Sequence, residues 1–227
     1  MIIGGLQKTS TIDFPGVLSC VIFTRGCNLD CFYCHNRELL SLKGEQVPET
    51  EVMEFLQKRR GLLDGIVISG GEPTLQKDLA EFIAKIKLLG FSVKLDTNGQ
   101  NKTAVAELCA SRMLDYVAVD LKALPEEYSG ICGVAGYASA VNTIMQLKES
   151  RVSFEVRTTL YPGFSTEMLE NLLAGLPTMP RWRLNYFKMP EVFNESKKTM
   201  LEEACLDNGS VRQILPRLLN LQANLIC

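Results

Sequence analysis

The sequence predicts an α/β chain folded as a partial, open β/α barrel. Short β-rich runs alternate with amphipathic helical patterns along most of the 227 residues, the signature of parallel βαβ units. Five or six such units can be counted, whereas a closed eight-stranded barrel takes about 250 residues. The polar clusters also fall at the carboxyl ends of successive strands, where parallel β/α folds do their chemistry.

The elements follow in order. Strands are expected at "VLSCVIFT" (17–24), "DGIVISG" (64–70), "FSVKLDTNG" (91–99), "LDYVAVDLKA" (114–123), "VSFEVRTTL" (152–160) and "RWRLNYF" (181–187). Helices are expected at 49–60, where Val52, Phe55 and Leu56 share a face, and at 76–90, with Leu79, Phe82, Ile83 and Ile86 before the stop at Gly90. Further helices are expected at 102–111, about 138–149 and about 166–174. The stretch 195–227 reads as mostly helical but interrupted by Pro216. No linker, repeat or low-complexity segment divides the chain, so one domain is expected over 1–227, with its core at about 15–190.

Composition narrows the function classes. Hydrophobic residues make up 46%, ample for a core, and Lys+Arg total 24 against Asp+Glu 26. That near-balance gives no bulk attraction to nucleic acid. No apolar stretch approaches the roughly 20 residues that cross a bilayer, and "MIIGGLQKTSTIDFPG" lacks the basic and apolar regions of a signal peptide. A cytoplasmic protein with no membrane partner is expected. Its eight cysteines then ask for a metal or redox explanation, because disulfides are disfavoured in that compartment.

Cys27, Cys31 and Cys34 fall within "TRGCNLDCFYCHN" at C-x3-C-x2-C spacing; Cys20, Cys109, Cys132, Cys205 and Cys227 stand singly and read as packing thiols. Structural zinc wants a closed tetrahedral set, usually two pairs of ligands separated by a longer loop. Here the single histidine, His35, directly follows Cys34 and cannot easily complete the same tetrahedron. A [4Fe–4S] cube takes one thiolate per iron, so three thiolates leave one iron open, by the logic that separates open catalytic sites from closed structural ones.

The three cysteines, with Tyr33 before the last and "GGEP" at 70–73, resemble the radical S-adenosylmethionine (SAM) superfamily. The resemblance implies a partial (β/α)6 barrel of the radical SAM type. It also implies that the methionine end of SAM chelates the open iron, and that an electron from the cluster releases a 5′-deoxyadenosyl radical. "TSTIDFPGVLSCVIFTRGCNLDCFYCHN" further resembles the glycyl-radical-enzyme activating enzymes, most of all the anaerobic ribonucleoside-triphosphate reductase activating proteins. The likeness runs from about residue 4 to about residue 163 and fades after "YPGF".

By that resemblance Gly70, Gly71 and Glu72 receive the SAM amino group, and Lys122 in "DLK" pairs with its carboxylate, beside Asp120. Tyr33 and His35 flank the cofactor. Asp96 and Thr97 in "DTNG", with Asp120, resemble a monovalent-cation site; a cation would relieve two carboxylates at neighbouring strand ends. Asp13 and Arg157 match positions that engage substrate peptide or hold the site together, Arg157 alternatively through a buried ion pair. Phe187 stands where the pyruvate formate-lyase activators carry a histidine. The implied partners are a glycyl radical enzyme, by preference anaerobic ribonucleotide reductase, and reduced flavodoxin or ferredoxin as electron donor. Residues 35–69 hold no cysteine, so a single cluster is expected. The competing readings are a pyruvate formate-lyase-type activase, a small-molecule enzyme such as a 7-carboxy-7-deazaguanine synthase, and a non-enzymatic iron–sulfur or zinc binding module.

Overall fold

Eight strands lie in one sheet in chain order, in a computed structural model that describes residues 1–227. β1 (Ile3–Ser10) runs antiparallel to β2 (Ser19–Thr24). From there the pairing is parallel through β3 (Gly65–Gly70), β4 (Ser92–Thr97), β5 (Tyr116–Asp120), β6 (Ser153–Leu160), β7 (Trp182–Tyr186) and β8 (Leu225–Ile226). β1 and β8 form the two edges and do not pair, so the barrel stays open. The helices are α1 (Glu49–Lys58), α2 (Leu79–Leu88), α3 (Lys102–Ala110), α4 (Tyr128–Cys132), α5 (Tyr137–Lys148), α6 (Thr166–Ala174), α7 (Lys198–Leu201) and α8 (Asn208–Leu221).

The six strands expected from the sequence are β2 to β7, and the five expected helices are α1, α2, α3, α5 and α6. β1 carries no such signal: "IGGLQKTS" combines two glycines with polar residues, and its strand character comes from pairing along β2. α8 runs through Pro216 instead of breaking there. Pro216 and Arg212, whose carbonyl loses its helical donor, both face solvent, so water satisfies the freed oxygen.

Period-two alternation divides the strand residues between two environments. Ile22, Ile68, Val93, Leu95, Val117, Val119 and Val156 join the helices in one large apolar core. The concave face is filled differently. Phe14, Val21 and Val67 make a small separate cluster at β2 and β3, while β4, β5 and β6 direct Lys94, Asp96, Asp120, Glu155 and Arg157 inward, where they pair with one another or, for Glu155, with Arg181 just before β7 and Arg183 on it. An apolar half and a charged half therefore share the interior beneath the strand ends. No helix is long and apolar enough to cross a membrane.

Candidate active site

The loop after β2 carries the three cysteines and is held from both sides. The backbone N–H of Asp30 donates to the Cys132 carbonyl at 2.9 Å and that of Phe32 to Ile131 at 3.2 Å, fixing the loop to α4. Tyr33 stacks on Tyr161, their ring centroids 5.0 Å apart and nearly parallel, with Phe164 edge-on beyond. The outer wall, residues 38–45, is gathered by Arg25, a buried guanidinium absent from the expected set. It donates to the carbonyls of Glu45 (2.7 Å), Glu38 (2.7 Å) and Lys43 (2.9 Å). Arg25→Met leaves those carbonyls without their donor. Urea unfolding should register a loss of about 3 kcal/mol, the scale of one or two charge-assisted bonds, together with lower iron loading on reconstitution.

All three thiols are free and line a single cavity of about 470 Å³, within the range of small-molecule sites. The Cys132 thiol, hydrogen-bonded to Cys31, brings Cys31 down to about 7 against the effect of burial. Burial pushes Cys27 up to about 11 and raises Cys34. No three His, Cys, Asp or Glu side chains converge closely enough to hold one metal ion. Cysteines spread along a cavity wall suit a cube that takes one thiolate per iron better than a lone tetrahedral ion.

The glycine pair after β3 packs loop against loop. A Cβ on Gly70 (φ +110°) would fall 2.4 Å from the backbone nitrogen of Thr24, and one on Gly71 would fall 2.2 Å from the Gly26 carbonyl oxygen. Glycine thus brings the "GGEP" segment against the start of the cysteine loop. Gly70 and Gly71 line the cavity, but the fully buried Glu72 carboxylate is committed elsewhere. It accepts from the Thr74 N–H and hydroxyl, the Thr97 hydroxyl and the Asn98 N–H. That side chain ties two strand-end loops together. Asn98, itself absent from the expected set, donates to Asn28 at 2.8 Å and so extends the tie to the cysteine loop.

A row of alternating charge crosses the strand ends. Lys94, 1% exposed, pairs with Oδ1 of Asp96. Arg157 donates to Oδ2 of Asp96 at 3.0 Å and to Oδ1 of Asp120 at 2.9 Å; Lys122 reaches Oδ2 of Asp120 at 3.1 Å. Arg157 thus forms the buried ion pair that was one of its two expected roles, lying between the carboxylates where a metal cation was expected. Burial works against these charges, yet Arg157 and Lys122 hold Asp120 down to about 2, and Arg157 and Lys94 keep Asp96 lowered. Burial also pulls Lys94 below the usual lysine range, with Asp96 opposing. For Lys122 burial is outweighed by Asp120, which with Tyr33 and Cys31 raises it well above that range.

Lys94 was missed, although "KLD" places it two residues before Asp96 and hence on the same strand face. Below it, Glu155 is held by Arg181 at 2.9 Å. Of the other expected residues, Tyr33, His35, Thr97, Asp13 and the variant position Phe187 all line the cavity. Thr97 spends its hydroxyl on Glu72 and on the Gly99 N–H. Asp13 accepts from Ser10, beyond the end of β1.

A family model described as the Radical SAM superfamily matches residues 21–175. The chain belongs to that superfamily. Among radical SAM relatives, the Methanocaldococcus jannaschii protein MJ1227, named as a glycyl-radical enzyme activating enzyme, is 33% identical over 88% of this chain and 85% of its own length. The pyruvate formate-lyase 1-activating enzyme of Escherichia coli K12 is 27% identical over 73% of this chain and 70% of its own. In fold, a radical SAM methyltransferase from Sphaerobacter thermophilus superposes with a TM-score of 0.73 at 14% identity, covering 94% of this chain and 66% of the other. SuiB of Streptococcus suis bound to S-adenosylmethionine gives 0.69 at 18% identity, covering 88% of this chain and 46% of SuiB.

Membership makes the protein a radical SAM enzyme, with a [4Fe–4S] cluster and SAM as its cofactors. The residues present fit both. Three free thiols face one cavity with Lys122. Tyr33 and Tyr186 line the same cavity, and their phenol oxygens are buried without a hydrogen-bond partner.

Proposed function

We propose that this protein installs a glycyl radical on a partner enzyme, anaerobic ribonucleoside-triphosphate reductase, by removing a hydrogen atom from a glycine Cα in a partner loop. The observation that carries the reading is the joining of three free thiols and a cationic lysine in one cavity at the strand ends of an unclosed barrel. Relatedness to named glycyl-radical enzyme activating enzymes supports it.

Cys27, Cys31 and Cys34 would hold the cluster, and Gly70, Gly71 and Lys122 the methionine end of SAM. When bound, these cofactors supply a carbon radical able to abstract hydrogen. The chain's own residues bind, orient and exclude water. Lys122 fixes the SAM carboxylate as an ion pair whose geometry Asp120 sets from the other side. The open side of the sheet admits a peptide loop, whose arrival completes the exclusion of water, and Asp13 lies along that approach. No general base is required, because a hydrogen atom and not a proton is taken, which suits a cavity whose single histidine, His35, is exposed. Reduced flavodoxin or ferredoxin would provide the electron.

Anaerobically reconstituted protein, SAM and reductant are mixed with candidate partners, and a glycyl-radical EPR doublet is sought. A doublet on the reductase supports the reading. A doublet only on pyruvate formate-lyase moves the partner assignment, and efficient turnover of a free nucleotide with no doublet overturns the activase. Lys122→Ala should weaken SAM binding by tenfold or more, about 1.4 kcal/mol, with iron content unchanged. Equal SAM affinity in the variant would remove Lys122 from the site.

A further inference from the structure

We infer that the strand-end carboxylates need no metal cation, because Lys94 is built into the fold as the cation of this site. All four carboxylate oxygens of Asp96 and Asp120 already have a cationic donor: Lys94 and Arg157 on Asp96, Arg157 and Lys122 on Asp120. The third expected ligand, the Thr97 hydroxyl, donates to Glu72 and accepts from Gly99. No oxygen of the expected donor set is left uncommitted. The charges agree. Lys94, Arg157, Lys122 and Arg181 set four positive charges against those of Asp96, Asp120 and Glu155, so the row carries a surplus of positive charge. A further metal ion would sit beside three buried or half-buried cations and be repelled by them.

Lys94 is the member that makes the difference. Arg157 and Lys122 serve both neighbouring groups and the cavity, whereas Lys94 is buried below them and meets Asp96 from beneath. Without it, Asp96 keeps one oxygen bare at the floor of the cavity, and a small monovalent ion gains a ligand. Lys94 is thus a positioning residue. It holds Asp96, Asp96 shares Arg157 with Asp120, and Asp120 sets Lys122.

The test compares K⁺, Na⁺ and tetramethylammonium chlorides at equal ionic strength, since tetramethylammonium screens charge but is too large for such a site. Two quantities are read: SAM affinity of the reconstituted protein by calorimetry, and Tm of the full chain. Wild type should give SAM Kd values within about twofold across the three salts, well under the tenfold that 1.4 kcal/mol represents, and an unchanged Tm. Lys94→Met should acquire a saturable rise in both quantities with K⁺ or Na⁺, and Lys94→Met combined with Asp96→Asn should be indifferent again. A saturable gain of about tenfold or more in wild-type SAM affinity with K⁺ or Na⁺ overturns the inference. So does a folded Lys94→Met variant without any cation response. If Lys94→Met does not fold, the wild-type salt series still decides. The binding readout rests on the cavity being the SAM site. Wild type that binds no SAM in any salt would overturn that reading, while the Tm series would still judge the cation.

Discussion

Cys31→Ala protein is expected to release no 5′-deoxyadenosine from SAM above a protein-free control, with its bound iron falling in parallel. If Cys27, Cys31 and Cys34 are the ligands proposed above, a cubane cluster would take one thiolate per iron, and no spare thiolate would be available when one is lost. Cys132 lies against Cys31 but on α4, with its carbonyl already tied to Asp30. The same loss is expected for Cys27→Ala and Cys34→Ala. In contrast Cys109→Ala and Cys205→Ala, whose thiols are remote from the cavity lining, should keep full activity. Continued 5′-deoxyadenosine release by any of the three loop variants would remove that residue from the ligand set.

Arg157→Met should be the most damaging single change outside the cysteine loop. Arg157 is 17% exposed and bonds one oxygen on each of two carboxylates. Deleting it leaves a buried anion, Asp96, facing the partly buried Asp120 with one cation apiece, and breaking a buried pair in this way costs about 3–5 kcal/mol. Urea denaturation measures this directly, and SAM affinity should fall with it as Asp120 loses its fixed position behind Lys122. Arg157→Lys should recover only part of the stability, because an ammonium lacks the planar fork that spans both acceptors. A loss below about 1 kcal/mol for Arg157→Met, the scale of an exposed pair, would mean that the charge row is solvated rather than structural.

What could be read from the sequence depended on how local the cause was. β2 to β7 announce themselves because each alternates apolar residues over a few positions, and the same chain positions bring Cys27, Gly70, Asp96 and Lys122 to one end of the sheet. β1 could not be read, because pairing rather than composition makes "IGGLQKTS" a strand. α8 persists through Pro216 because the lost bond faces water, a fact of exposure that no propensity carries. Within the site, residue identity was legible and side-chain commitment was not. Glu72 belongs to a recognisable segment, yet its partners Thr97 and Asn98 lie on the next strand's loop. Asp96 and Asp120 did raise the question of what separates two carboxylates. The answer, Arg157 with Lys94, needed the register that sets Asp120 opposite Arg157 on β6.

The bonds from Asp30 and Phe32 to residues 131 and 132 have a consequence for the order of assembly. The cysteine loop lies early in the chain, but the backbone that fixes it belongs to the second half, and Tyr161, which backs Tyr33, comes later still. During synthesis at roughly 5–20 residues per second, the three thiols emerge long before their scaffold and spend seconds exposed and unshaped. Contacts this distant in sequence also form late in refolding. The pocket that would hold the cluster is therefore complete only when the barrel is nearly finished, and until then the three thiols lie open to oxidation.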